Sequence, residues 1–233
     1  MISSNAYCAV VIPCRDEELS IGAIVKEALK HADCVYVCND TSVDNTAEVA
    51  REAGAIVINV PPTRRGLPAV YSTGLLAALH DNVDFIIEMD AGGSHDPTEI
   101  PRFIRMAKHT NVDIVFGERL YHGSYLGSRK RYWLSKLGTW LFNFCHRSKF
   151  KDATSGFIGY TRGALLHTHQ HSFKAEGHYY QSEVRARALA SKLSYIEIPI
   201  EYRNSSSHLN QDSILEALQL CLSDLYNRFS YQR

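Results

Sequence analysis

Nothing in the chain approaches the run of about 18 uninterrupted apolar residues that a helix needs to cross a bilayer, so no membrane span is expected. The first residues, M-I-S-S-N-A-Y, lack a charged stretch followed by an apolar core, and no secretory leader is expected. The six cysteines (Cys8, Cys14, Cys34, Cys38, Cys145 and Cys221) form neither a C-x-x-C pair nor a clustered His/Cys zinc pattern. They read as free thiols, mostly buried, in a reducing compartment. Repeats, low-complexity tracts and linkers are missing too, which leaves a single domain over 1–233. Hydrophobic residues at 45% and charged residues at 21% are ordinary globular usage and exclude a disordered, collagen-like or coiled-coil chain. A chain of 233 residues buries a core without disulfide or metal staples.

Net charge is also missing, but the zero hides a segregation. Residues 1–118 carry 9 basic and 17 acidic side chains, residues 119–151 carry 8 basic and no acidic ones, and residues 152–233 carry 8 of each. A wholly basic middle segment points to an anionic partner, with a solvated basic face as the plain alternative.

What is present is an alternation of short apolar runs and helical periodicity. Strands are expected at 6–13, 34–38, 55–60, 85–89 and 114–116, with helices at 20–31, 46–53, 67–79 and 98–108 between them. The second half is less regular. Helices are expected at 131–145, 178–191 and 213–229, and strands at 157–160 and 195–202. Repeated β-α units with continuous apolar strands predict an α/β fold, a mostly parallel sheet covered by helices on both faces. Ligands of such sheets sit beyond the carboxyl ends of the strands, which directs attention to Pro13, Asn39-Asp40 and Asp90.

The strand-end segments are P-C-R-D-E-E at 13–18, N-D-T-S-V-D-N-T at 39–46, R-R-G-L-P-A at 64–69 and M-D-A-G-G-S-H-D-P at 89–97. Further on come G-E-R at 117–119, D-A-T-S-G-F at 152–157, Y-Y-Q-S-E at 179–183 and I-P-I-E-Y-R with S-S-H-L at 198–209. Together, and in this order, they resemble glycosyltransferase family 2, of the Rossmann-like GT-A fold, and within it the dolichyl- and polyprenyl-phosphate mannose synthase branch. The resemblance implies a nucleotide-sugar-binding half at 1–118 and an acceptor-binding half at 119–233. The implied reaction moves mannose or a similar hexose, with inversion, from GDP-mannose or a UDP-hexose to a polyprenyl phosphate. A chain with no membrane span would do so as a peripheral protein at the cytoplasmic membrane face, docking by its basic aromatic segment.

Residue by residue, the resemblance places Pro13, Arg15, Glu17, Asp40, Arg65, Asp90 and Ala91 at the nucleotide sugar. Asp40 ends a strand and can accept from a base N–H, or serve as a turn residue before a helix. Arg64 and Arg65 read equally as diphosphate contacts or as solvated cations, and Asp44 as a turn or cap residue. Asp90 is the first carboxylate of the family's D-x-D pair, which holds Mg²⁺ or Mn²⁺ against the diphosphate; here the second position is Gly92. The acceptor phosphate falls to Arg119, Arg131 and Ser135. Arginine suits phosphate through its planar fork, and Arg131 and Ser135, four apart, share one helical face. Gln181 and Glu183 occupy the family's Q-x-E pair, read chiefly as sugar-hydroxyl ligands, or in Glu183's case as a helix N-terminal carboxylate. Arg203 and Ser207 lie in a loop expected over the diphosphate, where His208 replaces the usual lysine. The histidines of H-T-H-Q-H at 167–171 read as surface residues. Two rivals remain open: transfer to a soluble acceptor hydroxyl, with Glu183 as base, and a non-catalytic nucleotide-sugar binder, favoured by Asn39, Pro68 and Gly92.

Overall fold

The computed structural model describes residues 7–63, 66–121, 128–203 and 211–230, the last with side chains at 215–225. Seven strands form one sheet: β1 (Cys8–Cys14), β2 (Cys34–Asn39), β3 (Ile56–Asn59), β4 (Phe85–Glu88), β5 (Ile114–Glu118), β6 (Ile158–Thr161) and β7 (Tyr195–Pro199). Their order is β3-β2-β1-β4-β6-β5-β7. Neighbours pair in parallel except β6, which runs antiparallel to both β4 and β5. The expected mostly parallel sheet is therefore the observed one.

The helices are α1 (Ile21–Ala28), α2 (Thr46–Glu52), α3 (Leu67–His80), α4 (Ile100–Thr110), α5 (Arg129–His146), α6 (Arg162–His169), α7 (Tyr180–Ala190) and α8 (Gln211–Ser230). Sheet residues alternate between two cores because successive side chains on a strand face opposite ways. Val10, Ile12, Val35, Val37 and Ile87 meet α1, α2 and α4 through residues such as Ile21, Val25, Ala50 and Phe103. Ala9, Val11, Tyr36, Ile86 and Phe116 meet α3, α5, α6, α7 and α8 through residues such as Leu75, Phe142, Leu165, Val184 and Cys221. Each large side chain taken out of water in this way contributes about 1.5–3 kcal/mol, so both faces need their cover.

Helix α6 was not expected. It is eight residues long, carries Gly163, and starts where the Thr161 hydroxyl accepts the Ala164 N–H at 3.2 Å. Its histidines also depart from expectation. His169 lies inside, its Nε2 2.9 Å from the Tyr180 hydroxyl and its ring against Tyr160 and Phe173, so it belongs to the core and not to the surface. His167 and His171 are exposed.

The turn into α3 depends on Gly66. Its φ of +86° is in the region that favours glycine, and a Cβ there would stand 2.6 Å from the Glu176 carbonyl oxygen. That same carbonyl accepts the Leu67 N–H at 2.8 Å. Gly66→Ala should therefore cost about 1–3 kcal/mol in urea unfolding, and an unchanged midpoint would show that the turn is not as constrained as its dihedrals require.

Candidate functional site

The carboxyl ends of β1, β2 and β4 open into a cavity of about 610 Å³. Pro13 lies near the end of β1, Arg15 and Glu17 follow that strand, Asp40 follows β2, and Asp90, Ala91 and Gly92 follow β4, all on the cavity wall. Arg119 after β5, Arg131 and Ser135 on α5, and Gln181 on α7 complete the polar lining. The fold thus gathers eleven expected positions from six elements at one sheet edge, Gly92 counted with the ten assigned site residues.

Local contacts fix several of these groups. Glu17 accepts the Ser20 hydroxyl at 2.7 Å, and its backbone N–H donates to the Thr46 hydroxyl at 2.7 Å. Arg15 Nη1 is 3.9 Å from Asp40 Oδ2. Asp44 accepts the N–H groups of Thr46 and Glu18 at 3.0 and 3.2 Å, a turn carboxylate off the cavity wall. Hydrogen bonds to Thr46 hold its carboxyl below the usual range.

Arg119 is the most firmly held cation. Its Nε donates to Asp152 Oδ2 at 2.9 Å, and its Nη2 to Asp152 Oδ1 at 3.1 Å and to the Thr154 hydroxyl at 2.6 Å. Although burial alone would raise the Asp152 pKa, the facing Arg119 and Arg185 charges and the Arg119 hydrogen bonds hold it far below the usual carboxylate range. The ring of Tyr202 lies under both arginines, 5.0 Å from the Arg119 guanidinium carbon and 5.9 Å from that of Arg131. An aromatic face attracts and orients such cations. Sequence reasoning missed Tyr202 and Asp152. The one acid closing a wholly basic stretch was a signal for Asp152; nothing local marked Tyr202.

Glu183 stands apart from the other expected site residues. It is absent from the cavity wall, and its carboxylate accepts the backbone N–H groups of Lys174 and Ala175 at 2.9 Å each while pairing with Arg187 at 2.8 Å. Three donors from a loop and a helix hold the carboxylate in place. Arg203 also stands off the wall, its Nη2 bound to Asp96 Oδ2 at 2.8 Å. Arg65 and Ser207, with Arg64 and His208, lie outside the described residues.

The other end of the cavity is apolar. Leu134, Leu137 and Leu141 on α5 face it, with Ala217 and Leu218 on α8. On α5 the apolar side continues outward through Trp133, Trp140 and Phe144, each more than 60% exposed. No described helix is long and apolar enough to cross a membrane.

For a divalent cation the protein offers Asp90, whose Oδ1 accepts the His95 N–H at 3.3 Å. Among the described residues no cluster of three or more His, Cys, Asp or Glu side chains could hold a metal. This donor set suits Mg²⁺ or Mn²⁺ carried by phosphate oxygens and water, with one carboxylate from the chain.

A doubly covered sheet of this order, with carboxylates at the ends of β2 and β4 and a basic, partly apolar far wall, defines a GT-A glycosyltransferase. The chain belongs to glycosyl transferase family 2, whose model matches residues 9–168. It is 26% identical over 223 residues to polyprenol monophosphomannose synthase of Mycolicibacterium smegmatis, covering 90% of this chain and 83% of that one. It is 25% identical over 190 residues to undecaprenyl-phosphate mannosyltransferase of Micrococcus luteus, covering 79% and 76%. Among solved structures, glucosyl-3-phosphoglycerate synthase of Mycobacterium tuberculosis with UDP shares the fold at a TM-score of 0.73 and 16% identity, over 97% of this chain and 80% of that one. The same enzyme with Mn²⁺, UDP and glucosyl-3-phosphoglycerate matches at 0.70 and 17%, over the same shares.

Proposed function

We propose that this glycosyltransferase moves mannose or a similar hexose, with inversion, from a nucleotide sugar to a polyprenyl phosphate. The observation that carries the reading is the two-ended far wall. Arg131 and Ser135 on α5 supply its polar part, and Leu134, Leu137 and Leu141 on the same helix, with Leu218 on α8, supply its apolar part beside the exposed aromatic stripe of α5. A phosphate attached to a long apolar chain matches both ends. The names of the two mannosyl-transferring relatives agree with this acceptor.

In this reading Asp40 and Glu17 hold the nucleoside, and Asp90 stands at the diphosphate. A phosphate oxygen of the acceptor attacks the anomeric carbon from the side opposite the leaving group. The bond from that carbon to the diphosphate breaks, and the nucleoside diphosphate departs with the electron pair. The acceptor is already an anion near neutral pH, so no proton has to be removed and no carboxylate base is required. That agrees with Glu183 being committed elsewhere. What the site contributes is position and charge neutralisation, by Arg119 and Arg131 for the acceptor. Mg²⁺ or Mn²⁺ at Asp90 would supply charge neutralisation to the departing diphosphate. The basic residues Arg129 and Lys130, both exposed at the start of α5, and the stripe of Trp133, Trp140 and Phe144 suit contact with an anionic bilayer surface.

Arg131→Ala tests the acceptor side. Loss of hydrogen bonds from a charged donor costs about 1.5–3 kcal/mol, which predicts a KM for polyprenyl phosphate raised about 10–100-fold. Binding of the nucleotide sugar, measured by calorimetry, should stay within about twofold. Equal KM in variant and parent would remove the polyprenyl-phosphate reading.

A further inference from the structure

One polar side chain on the cavity wall has its chemistry fixed by its neighbours yet has no place in the mechanism above. The His95 imidazole is buried, 3% exposed, stacked on Phe157 with centroids 4.9 Å apart and tilted against Tyr202 at 5.9 Å. A β-bridge between His95 and Tyr202 and the hydrogen bond from the His95 N–H to Asp90 Oδ1 fix its backbone. On the ring, Nδ1 accepts the backbone N–H of Asp90 at 3.2 Å. A ring nitrogen that accepts an N–H carries no proton, so the proton of the imidazole is on Nε2. The approach of Nδ1 to Asp90 Oδ1 at 3.7 Å is then a meeting of two acceptors and not an ion pair.

Among the described residues Nε2 has no hydrogen-bond partner, and it is not one of the sealed polar atoms that lack one. The ring lines the cavity together with Asp90, Ala91 and Gly92. We propose that His95 is a ligand-binding residue of the donor site: its Nε2–H donates to the diphosphate of the nucleotide sugar, beside Asp90, where Gly92 brings no side chain. The proposal rests on the nucleotide-sugar reading of this cavity. A neutral donor held by stacking and by a backbone hydrogen bond needs no reorganisation when charge collects on the departing phosphate, which is where a fixed dipole acts most strongly. It also gives the diphosphate a partner from the chain that does not depend on a cation.

The test uses the full chain with GDP and UDP as probes, each with and without Mn²⁺, and guanosine and uridine as controls. His95→Phe keeps an aromatic ring between Phe157 and Tyr202 and removes both nitrogens. It should weaken whichever diphosphate the parent binds by about tenfold or more, the loss of one hydrogen bond to a charged group, with nucleoside binding unchanged. The loss should persist without Mn²⁺, and His95→Gln, which restores an N–H at similar reach, should recover most of it. In the parent, nitrogen NMR should find Nδ1 unprotonated and Nε2 protonated, with the Nε2 proton moving downfield when the diphosphate is added. Diphosphate affinity equal in His95→Phe and parent, or a proton on Nδ1 in the parent, overturns the proposal and leaves the nucleotide-sugar reading intact. A parent that binds neither diphosphate overturns both.

Discussion

Asp152→Ala should destabilise the fold by about 3–5 kcal/mol at neutral pH, the largest effect expected of any single substitution here. Asp152 is fully buried and is bound in bidentate fashion by Arg119, itself buried at 6% exposure. Its charge also faces Arg185, which is completely buried, lies 4.3 Å over the Phe116 ring, and has no hydrogen-bond partner for Nε and Nη2 among the described residues. Removing the carboxylate strands two desolvated cations, and breaking a buried pair costs far more than the pair gains in net stability. The carboxyl pKa is depressed in the folded state, so its stabilisation is complete above the ordinary value of 3.8 and is lost as pH falls below it. Chemical unfolding of variant and parent at pH 7 reads the difference directly. A loss under 1 kcal/mol would mean that Arg119 and Arg185 find water or other acceptors. Because Arg119 lines the cavity, Asp152→Ala should also impair acceptor binding in whatever fraction remains folded.

A second large effect concerns the core under β4. Glu88 is completely buried, its Oε1 accepts the Tyr180 hydroxyl at 2.8 Å, and burial pushes its carboxyl up to about 8. His169 Nε2 lies 3.9 Å from the same oxygen, and burial, helped by the Arg187 charge, brings this imidazole down to about 3. The two shifts act in opposite directions on stability. Between pH 4.5 and 6.5 the folded state holds a proton on Glu88 that the unfolded state has lost, while the unfolded state holds one on histidine that the folded state lacks. The two contributions cancel there. From 6.5 to 8 only Glu88 differs, the folded state binds the extra proton, and stability falls by about 1.4 kcal/mol per pH unit. Relative to a variant without this carboxyl, the parent should therefore lose about 2 kcal/mol across that window. Glu88→Gln, which keeps an acceptor for Tyr180 and adds a donor near the Tyr160 hydroxyl, should remove this contribution and be the more stable protein at pH 8. Urea titrations at pH 6.5 and 8 decide it, and parallel curves for the two proteins would show that Glu88 is ionised in the folded state.

How much of this was legible in the sequence follows from what a local pattern encodes. The strands of the first half were readable because a buried parallel strand is a continuous apolar run, and 34–38 or 85–89 admits little else. The antiparallel direction of β6 was not readable, since a run such as Phe157 to Tyr160 carries no arrow. Helix α6 was missed because eight residues containing Gly163 and four polar side chains show no sustained period. At the site, Asp40 and Asp90 were expected from their places at strand ends, Arg131 and Ser135 from the family resemblance, and all four line the cavity. Glu183 shows what such a pattern leaves out. A carboxylate in a motif looks available, and only the fold brings the amides of 174 and 175 to it. The same holds for Tyr202, whose ring meets Arg119 and Arg131 across 83 and 71 positions of sequence, too far for any local pattern to register.

The central claim is that the acceptor is a phosphate on an apolar chain, and transfer of labelled sugar tests it most directly. Purified protein is incubated with labelled GDP-mannose, and in parallel with labelled UDP-hexoses, in the presence of Mg²⁺ or Mn²⁺. Each reaction contains a polyprenyl phosphate, the same polyprenol without phosphate, or a soluble phosphorylated acceptor such as phosphoglycerate. The account predicts that one donor passes its label into the organic-extractable fraction only with the polyprenyl phosphate, and that Arg131→Ala removes most of that transfer. Label reaching the soluble acceptor at equal or higher rate, or no label reaching the lipid phosphate from any donor, would contradict it.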